Sequence, residues 1–448
     1  MQRALAFTQS KTKWLWIGAI CVILLSRAVF LLPGYGTDAD ALRMVNAART
    51  IATSGSYTAS RLPGYPLPEI SYALIWRAGP LAINGLTALL STVAFVFFAL
   101  TLKRLCSLDY LLAGLALVFT PVIYINSVTS MDYVWALAFL LASQYWILAR
   151  KPMLAGFASG LAIGCRITSG AMLLPYLLMI AALEKENRLR YALLYTGSAL
   201  AVGAIVYSPV FLKYGSGFFR FYESLPVGLM IVLRLASLEV WGLIGVIGAL
   251  IALVGTWIIP GKSSSIPAST PGLLVFTWVI PAGLYLIAFL RLPIEAGYLI
   301  PMVPFIILLL ARALDRRMFW FFCVAVILSP FFFTFRDNHV QPAGMILADH
   351  NQRIGIDNYV ESFLNRTSEM HTKSLFIVGH YLPWIEASTW ETSQDNIRYL
   401  YRIDQAQYDQ AISEGWSVYY LPGTQQYSLR QFGFNLVEAG AIAFDLWQ

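Results

Sequence analysis

Apolar residues arrive in long blocks separated by short polar stretches. The runs lie near 14–33, 81–102, 110–128, 132–149, 153–183, 191–211, 228–259, 271–290, 296–311 and 317–335. A helix needs about 20 residues to cross the hydrocarbon of a bilayer, because each residue advances it by about 1.5 Å. The blocks therefore predict an α-helical polytopic membrane protein. Run 153–183 is too long for one span and short for two, and Gly164, Gly170 and Pro175 punctuate it. It reads as two short or broken helices that meet near Arg166. Counting it twice turns the ten runs into eleven spans.

The polar stretches carry the orientation. Arg3, Lys11 and Lys13 precede the first run. Lys103 and Arg104, Arg150 and Lys151, Lys185, Arg188 and Arg190, and Arg312, Arg316 and Arg317 fill later short loops. Basic residues collect in cytoplasmic loops, so these stretches belong together on the cytoplasmic side. That assignment requires run 153–183 to cross and return. It puts the N-terminus in the cytoplasm and the C-terminus outside. The first run is long and no A-x-A site follows it, so it reads as a retained span and not a cleaved signal. The polar linker 260–270 fits the cytoplasmic side.

Four segments then face outward: 34–80, the corner Asn126–Asp132, 212–227 and the turn Arg291–Tyr298. The first is long and contains a helix-like stretch, Ala39–Thr53, and a possible interfacial helix, Ile70–Gly79. After 335 the pattern shortens and alternates. Ser374–Gly379 and Trp416–Leu421 read as strands, and Gln405–Glu414 and Gln425–Phe432 as helices. The chain thus divides into a transmembrane domain, 1–335, and a small extracytoplasmic α/β domain, 336–448.

Composition agrees. Hydrophobic residues make up 58% of the 448 and charged residues 12%, against about 25% charged in soluble domains. The net charge of +7 is absorbed by the basic loops, which disfavours nucleic acid as a partner. The four cysteines lie in or beside apolar runs without a CxxC pair, and the four histidines lie in the tail without tight ligand spacing. No Walker loop, HExxH or GxSxG elbow stands in a supporting context.

Candidate chemistry concentrates in the outer segments. Asp38 and Asp40 follow the first span. One reading makes them helix-capping acids; the other makes one of them a general base beside the membrane. At positions i and i+2 they do not face the same way, so one would point to the site and one would cap. The stretch RLPGYPLPE, Arg61 to Glu69 and including Tyr65, is a rigid proline-rich turn that ends in an acid. Asp132 enters an apolar run, which is costly unless it meets a partner or a cavity, although it also sits where a first-turn acid would. Arg166 interrupts an apolar hairpin and calls for an acid or a phosphate; Arg27 has the same logic with weaker support. Arg291, Glu295 and Tyr298 lie at a late outer turn, where snorkelling is the alternative.

In order and content these features resemble the GT-C superfamily of membrane glycosyltransferases, and within it the branch of protein O-mannosyltransferases and the lipid A aminoarabinose transferase. The resemblance rests on TDAD at 37–40, SRLPGYPLPE at 60–69, Asp132, GCRITSGAMLLP at 164–175 and PIEAGYLIP at 293–301. It covers about 14–335. It implies an inverting transfer from a polyprenyl-phosphate-linked sugar to a lipid, glycan or protein acceptor on the extracytoplasmic side. Asp38 or Asp40 would be the base, Glu69 and Asp132 would shape the site, and Arg61, Arg166 and Arg291 would hold the donor phosphate. The family's adjacent Asp-Glu is Asp-Ala-Asp here, which leaves the base open between the two. The branch generally works without a metal; Asp38 and Asp40 are where a divalent ion would bind. A flippase, or a polymerase or ligase of lipid-linked saccharides, is the alternative, but no internal repeat or large late loop favours it. The loop charges predict that a reporter fused to the C-terminus is active outside the cytoplasm; activity inside it would invert the topology.

Overall fold

The computed structural model describes residues 2–219, 227–258, 263–336, 339–389 and 395–445, with backbone alone at 2–11 and 336. Parts of the outer segment 212–227 and of the linker 260–270 lie outside these residues.

Each apolar run contains a helix, although the last one, 317–335, leaves its helix at Leu328 and passes through a turn into a strand. In chain order the helices are α1 (Gln2–Ala28), α2 (Ala39–Ser54) and α3 (Pro66–Ile75) in the first outer loop, α4 (Gly79–Arg104), α5 (Tyr110–Phe119), α6 (Pro121–Asn126), α7 (Tyr133–Leu148), α8 (Pro152–Cys165), α9 (Leu173–Leu183), α10 (Arg188–Tyr214), α11 (Leu229–Ala236), α12 (Leu238–Ile258), α13 (Gly272–Arg291), α14 (Val303–Ala313) and α15 (Arg316–Leu328). Among the described residues six stretches are long and apolar enough to cross a membrane: Thr12–Leu31, Pro66–Arg104, Arg188–Phe218, Leu238–Ile258, Gly272–Arg291 and Ala296–Ala313. Shorter apolar helices, Tyr110–Phe119, Tyr133–Leu148, Pro152–Cys165 and Ile167–Leu183, pack among them.

Two runs are broken where the pattern reads as continuous. Run 110–128 splits at Thr120, which Pro121 pushes out of the helical region to φ −55°, ψ 126°. Run 228–259 becomes the exposed helix α11 and then α12, which is interrupted at Gly242 with φ +69°. Ser329 repairs that break. Its hydroxyl donates to Trp241 O at 2.8 Å and accepts from Gly245 N at 3.2 Å, and a Cβ on Gly242 would lie 2.2 Å from its oxygen.

Run 153–183 forms the expected hairpin. Arg166 is extended, φ −159°, ψ 113°, between α8 and a 3-10 turn, Ile167–Met172, that leads into α9. Arg150, just before α8, pairs with Glu184, just after α9, at 2.9 Å. Both ends of the run therefore lie together, and the apex is at the far end beside Asp132. The hairpin is held by close helix packing. Gly156, Gly160 and Gly164 of α8 face α10 so tightly that an added Cβ would meet Tyr195 O at 2.2 Å, Val202 Cβ at 2.6 Å and Val206 Cγ1 at 2.3 Å. In lipid, where apolar burial gives little drive, such small-residue contact is a main source of helix association.

After α15 an antiparallel hairpin, β1 (Phe332–Arg336) with β2 (His339–Ala343), leads to α16 (Met345–Ser368). A four-stranded parallel sheet follows, ordered β4-β3-β5-β6, with β3 (Ser374–Ile377), β4 (Ile397–Leu400), β5 (Ser417–Tyr420) and β6 (Ile442–Ala443). Helices α17 (Leu382–Thr389), α18 (Gln405–Ser413) and α19 (Gln425–Phe432) connect the strands. The two anticipated strands and two anticipated helices are present. Helix α16 was not anticipated, because its buried apolar residues, Ile346, Val360 and Phe363, are too sparse to make a run. The domain is not a free appendage. Asn46 and Arg49 of α2 donate to Pro383 O and Ala387 O of α17, at 3.3 and 3.1 Å.

The packing of α8 on α10 predicts that Gly160→Leu lowers the thermal midpoint of detergent-solubilised protein by roughly 5–10 °C or prevents folding. Gly197→Leu, on the open side of α10, is the matched control and leaves the midpoint unchanged.

Candidate active site

Asp132 is fully buried at the outer end of α7. It occupies the N-cap position, yet its side chain makes no cap bond. Ser130 does not cap either: its hydroxyl donates to Tyr35 O and Ala41 O. The Asp132 carboxylate is instead shared between two arginines. Oδ1 lies 3.1 Å from Arg61 Nη2 and Oδ2 lies 2.7 Å from Arg166 Nη1. A buried charge needs this much compensation, since an unpaired one costs several kcal/mol.

Arg61 also reaches Asp40, Nε to Oδ2 at 3.0 Å, while Arg43 holds the other oxygen of Asp40 at 2.8 Å. The remaining nitrogen of Arg61, Nη1, is buried and has no hydrogen-bond partner among the described residues. Aromatic rings frame both cations. The Arg61 guanidinium lies 4.2 Å from the Tyr65 ring, and that of Arg166 lies 4.1 Å from Tyr133 and 5.2 Å from Tyr298.

The proline-rich turn that presents Arg61 and Tyr65 is pinned from below by Glu69. Fully buried in the first turn of α3, Glu69 accepts from Tyr57 Oη, from Ser60 N and Oγ at 2.7 and 2.6 Å, and from Tyr65 N at 3.1 Å. With four donors on its two oxygens, Glu69 positions the loop. Tyr207 Oη adds a bond to Gly64 O at 2.9 Å.

A cavity of about 360 Å³ opens beside this cluster, lined by Asp38, Asn126, Glu295, Gly297 and Asp349 among others. Asp38 both caps α2, accepting from Asp40 N at 2.8 Å, and faces the cavity. This differs from the sequence expectation that the two acids would divide those tasks: Asp40 does neither and is spent on arginines. Burial pushes the Asp38 carboxyl above its usual range, with the charge of Asp40 adding to the shift and the cap bond opposing it. Glu295 accepts from Tyr133 Oη at 2.6 Å. Burial, reinforced by the charge of Asp38, pushes it up to about 7.

The structure brings Asp38, Asp40, Arg61, Tyr65, Asp132, Arg166, Glu295 and Tyr298 together in one cluster beside the cavity. Arg291 stays apart, exposed at the end of α13 and without an ion pair among the described residues. Of the two acids where a divalent ion would bind, Asp40 has its oxygens paired with Arg43 and Arg61. Arg27 is buried on carbonyls and rings, with bonds to Val118 O at 2.6 Å and Ser127 Oγ at 2.7 Å, and has no acid partner. Tyr133 was missed. It follows Asp132 inside an apolar run, where nothing separates a site tyrosine from a packing one, yet it joins Arg166 to Glu295.

This arrangement, an acid-bearing loop over a broken helical bundle with a docked α/β domain, is similar to the fold of the solved membrane protein ArnT. ArnT from Cupriavidus metallidurans bound to undecaprenyl phosphate superposes with a TM-score of 0.53 at 13% identity, over 96% of this chain and 90% of that one. The apo form of ArnT from Cupriavidus metallidurans matches with a TM-score of 0.49 at 16% identity, over 81% of this chain and 66% of that one. No family model and no curated protein matches the sequence.

The raised Glu295 carboxyl gives a pH prediction. Its neutral form is favoured by folding, so between about pH 4.5 and about pH 7 the folded chain holds a proton that the unfolded chain has lost. That contribution to stability is complete at low pH and is lost as pH rises through 7. Glu295→Gln is expected to flatten the fall of the thermal midpoint across that window; an unchanged slope would contradict the assignment.

Proposed function

We propose that the protein is an inverting glycosyltransferase that moves a sugar from a polyprenyl-phosphate-linked donor to an acceptor hydroxyl or amine on the extracytoplasmic face. The observation that carries this reading is the buried Arg61–Asp132–Arg166 cluster, one residue removed from a cavity that Asp38 lines. The undecaprenyl phosphate bound to the structurally similar ArnT supports the same ligand chemistry.

The acceptor attacks the anomeric carbon from the face opposite the phosphate, and the carbon–oxygen bond to phosphate breaks. One displacement inverts the configuration. The departing phosphate takes the bonding pair and gains negative charge. Arg61 and Arg166 are placed to stabilise that charge, and the free Nη1 of Arg61 is a donor ready for it. The acceptor proton goes to Asp38. Of the two loop acids, Asp38 suits this role better. It faces the cavity, and its raised affinity for a proton makes it a stronger base than an exposed carboxylate. Asp40 tethers Arg61. The grouping of basic loops at the opposite end of the bundle supports an extracytoplasmic site with a cytoplasmic N-terminus.

Purified protein supplied with a labelled polyprenyl-phosphate sugar and an acceptor extract should transfer label. Asp38→Asn is expected to lower kcat by about 10²–10⁴-fold, the range for loss of a general base. Asp40→Asn should chiefly weaken donor binding. Full transfer by both variants would overturn the base assignment.

A further inference from the structure

The C-terminal domain touches the site through α16, and the contacts are specific. Thr37 Oγ1 donates to Asp349 Oδ1 at 2.9 Å. The other oxygen of Asp349 is paired with Arg353, one turn along α16. Arg353 is almost wholly buried, 2% exposed, and Asp349 is 8% exposed. The Arg353 guanidinium also donates to Phe30 O at 3.2 Å and to Val128 O at 2.9 Å. Those carbonyls belong to the end of the first span and to the corner 126–132. One turn beyond Arg353, Asp357 lies against Gly34, close enough that a Cβ there would be 3.1 Å from its Oδ2.

Of these bonds, that from Thr37 to Asp349 reaches the short segment 34–38, which ends in Asp38, while Arg353 holds the chain before that segment at Phe30 and the facing corner at Val128. From the other side Ser130 N donates to Tyr35 O at 3.0 Å. The segment is thus gripped between α16 and the corner that carries Asp132. It contains two glycines at positive φ, Gly34 at +49° and Gly36 at +151°. A glycine-rich segment has much backbone freedom to lose on ordering. The cap bond to Asp40 N holds the Asp38 carboxylate against α2, but the path of the glycine-bearing segment into that helix is left to contacts from outside it.

We infer that Asp349 and Arg353 are positioning residues of the active site: through Thr37 they set the orientation of Asp38, so the C-terminal domain is part of the catalytic machinery. Asp349 also lines the cavity, as do Met345 and Gln352, so α16 forms one wall of the space that an acceptor must enter. A catalytic group displaced by about 1 Å loses on the order of 10²-fold in rate, and the Thr37–Asp349 bond is a single link whose removal tests this.

The inference rests on the reading of Asp38 as the base, so the test uses one readout that needs activity and one that does not. The full-length protein in nanodiscs is compared as wild type, Thr37→Val, Thr37→Ser and Asp349→Ala. Hydrogen exchange at amides 34–41 should quicken at least about 10-fold in Thr37→Val and Asp349→Ala, equivalent to about 1.4 kcal/mol of lost protection, and stay near wild type in Thr37→Ser. Exchange in α8 and α10 should not change. With an active wild type, kcat should fall by about 10-fold or more in Thr37→Val while the KM for donor holds, and Thr37→Ser should restore it. Unchanged exchange at 34–41 in both disruptive variants would overturn the inference. So would loosened exchange with undiminished kcat. A wild type that transfers nothing would refute the transferase reading instead, leaving the exchange result to decide the positioning.

Discussion

The site depends on one buried carboxylate. Asp132 is shared by Arg61 from the first outer loop and Arg166 from the apex of the α8–α9 hairpin, so one carboxylate ties three segments together. Without Asp132 two arginines would face each other in a nearly dry space. With it, the pair is held at a fixed spacing while Arg61 Nη1 stays uncommitted. The architecture follows from this constraint. The hairpin breaks at Arg166, whose extended backbone sits at the apex with its guanidinium on Asp132. The loop must be rigid, and Glu69 with its four donors makes it so.

A division of labour among the acids follows from their surroundings. Asp132 and Asp40 are neutralised by arginines and serve as fixed counter-charges. Glu69 is consumed by its own loop. Asp38 and Glu295 face the cavity without a cation of their own, and burial raises the proton affinity of both. Chemically similar side chains within one outer surface thus become struts, tethers and proton-handling groups by environment alone.

Much of this was legible in the sequence. Hydropathy located every helical run because the bilayer imposes a length, and Arg166 marked the break because a charge at that depth has few tolerable places. Site acids stood out for the same reason: Asp132 and Glu295 interrupt apolar context. What stayed hidden depends on distant contacts. Tyr133 is indistinguishable from a packing aromatic until Arg166 is seen on its ring. Helix α16 lacks an apolar run, so neither its existence nor the burial of Arg353 could be read from periodicity. Asp38 and Asp40 were separable only once Arg43 and Arg61 were seen to claim one of them. The break at Gly242 in α12 depended on Ser329, a residue 87 positions away in the chain.

In the proposed reaction Arg61 and Arg166 receive a lipid-linked phosphate. A density map of the protein in nanodiscs loaded with a polyprenyl phosphate is the direct test. A phosphate is expected within about 3 Å of Arg61 Nη1 and of the Arg166 guanidinium. Phosphate density elsewhere, with both arginines still closed on Asp132 and Nη1 unoccupied, would contradict it.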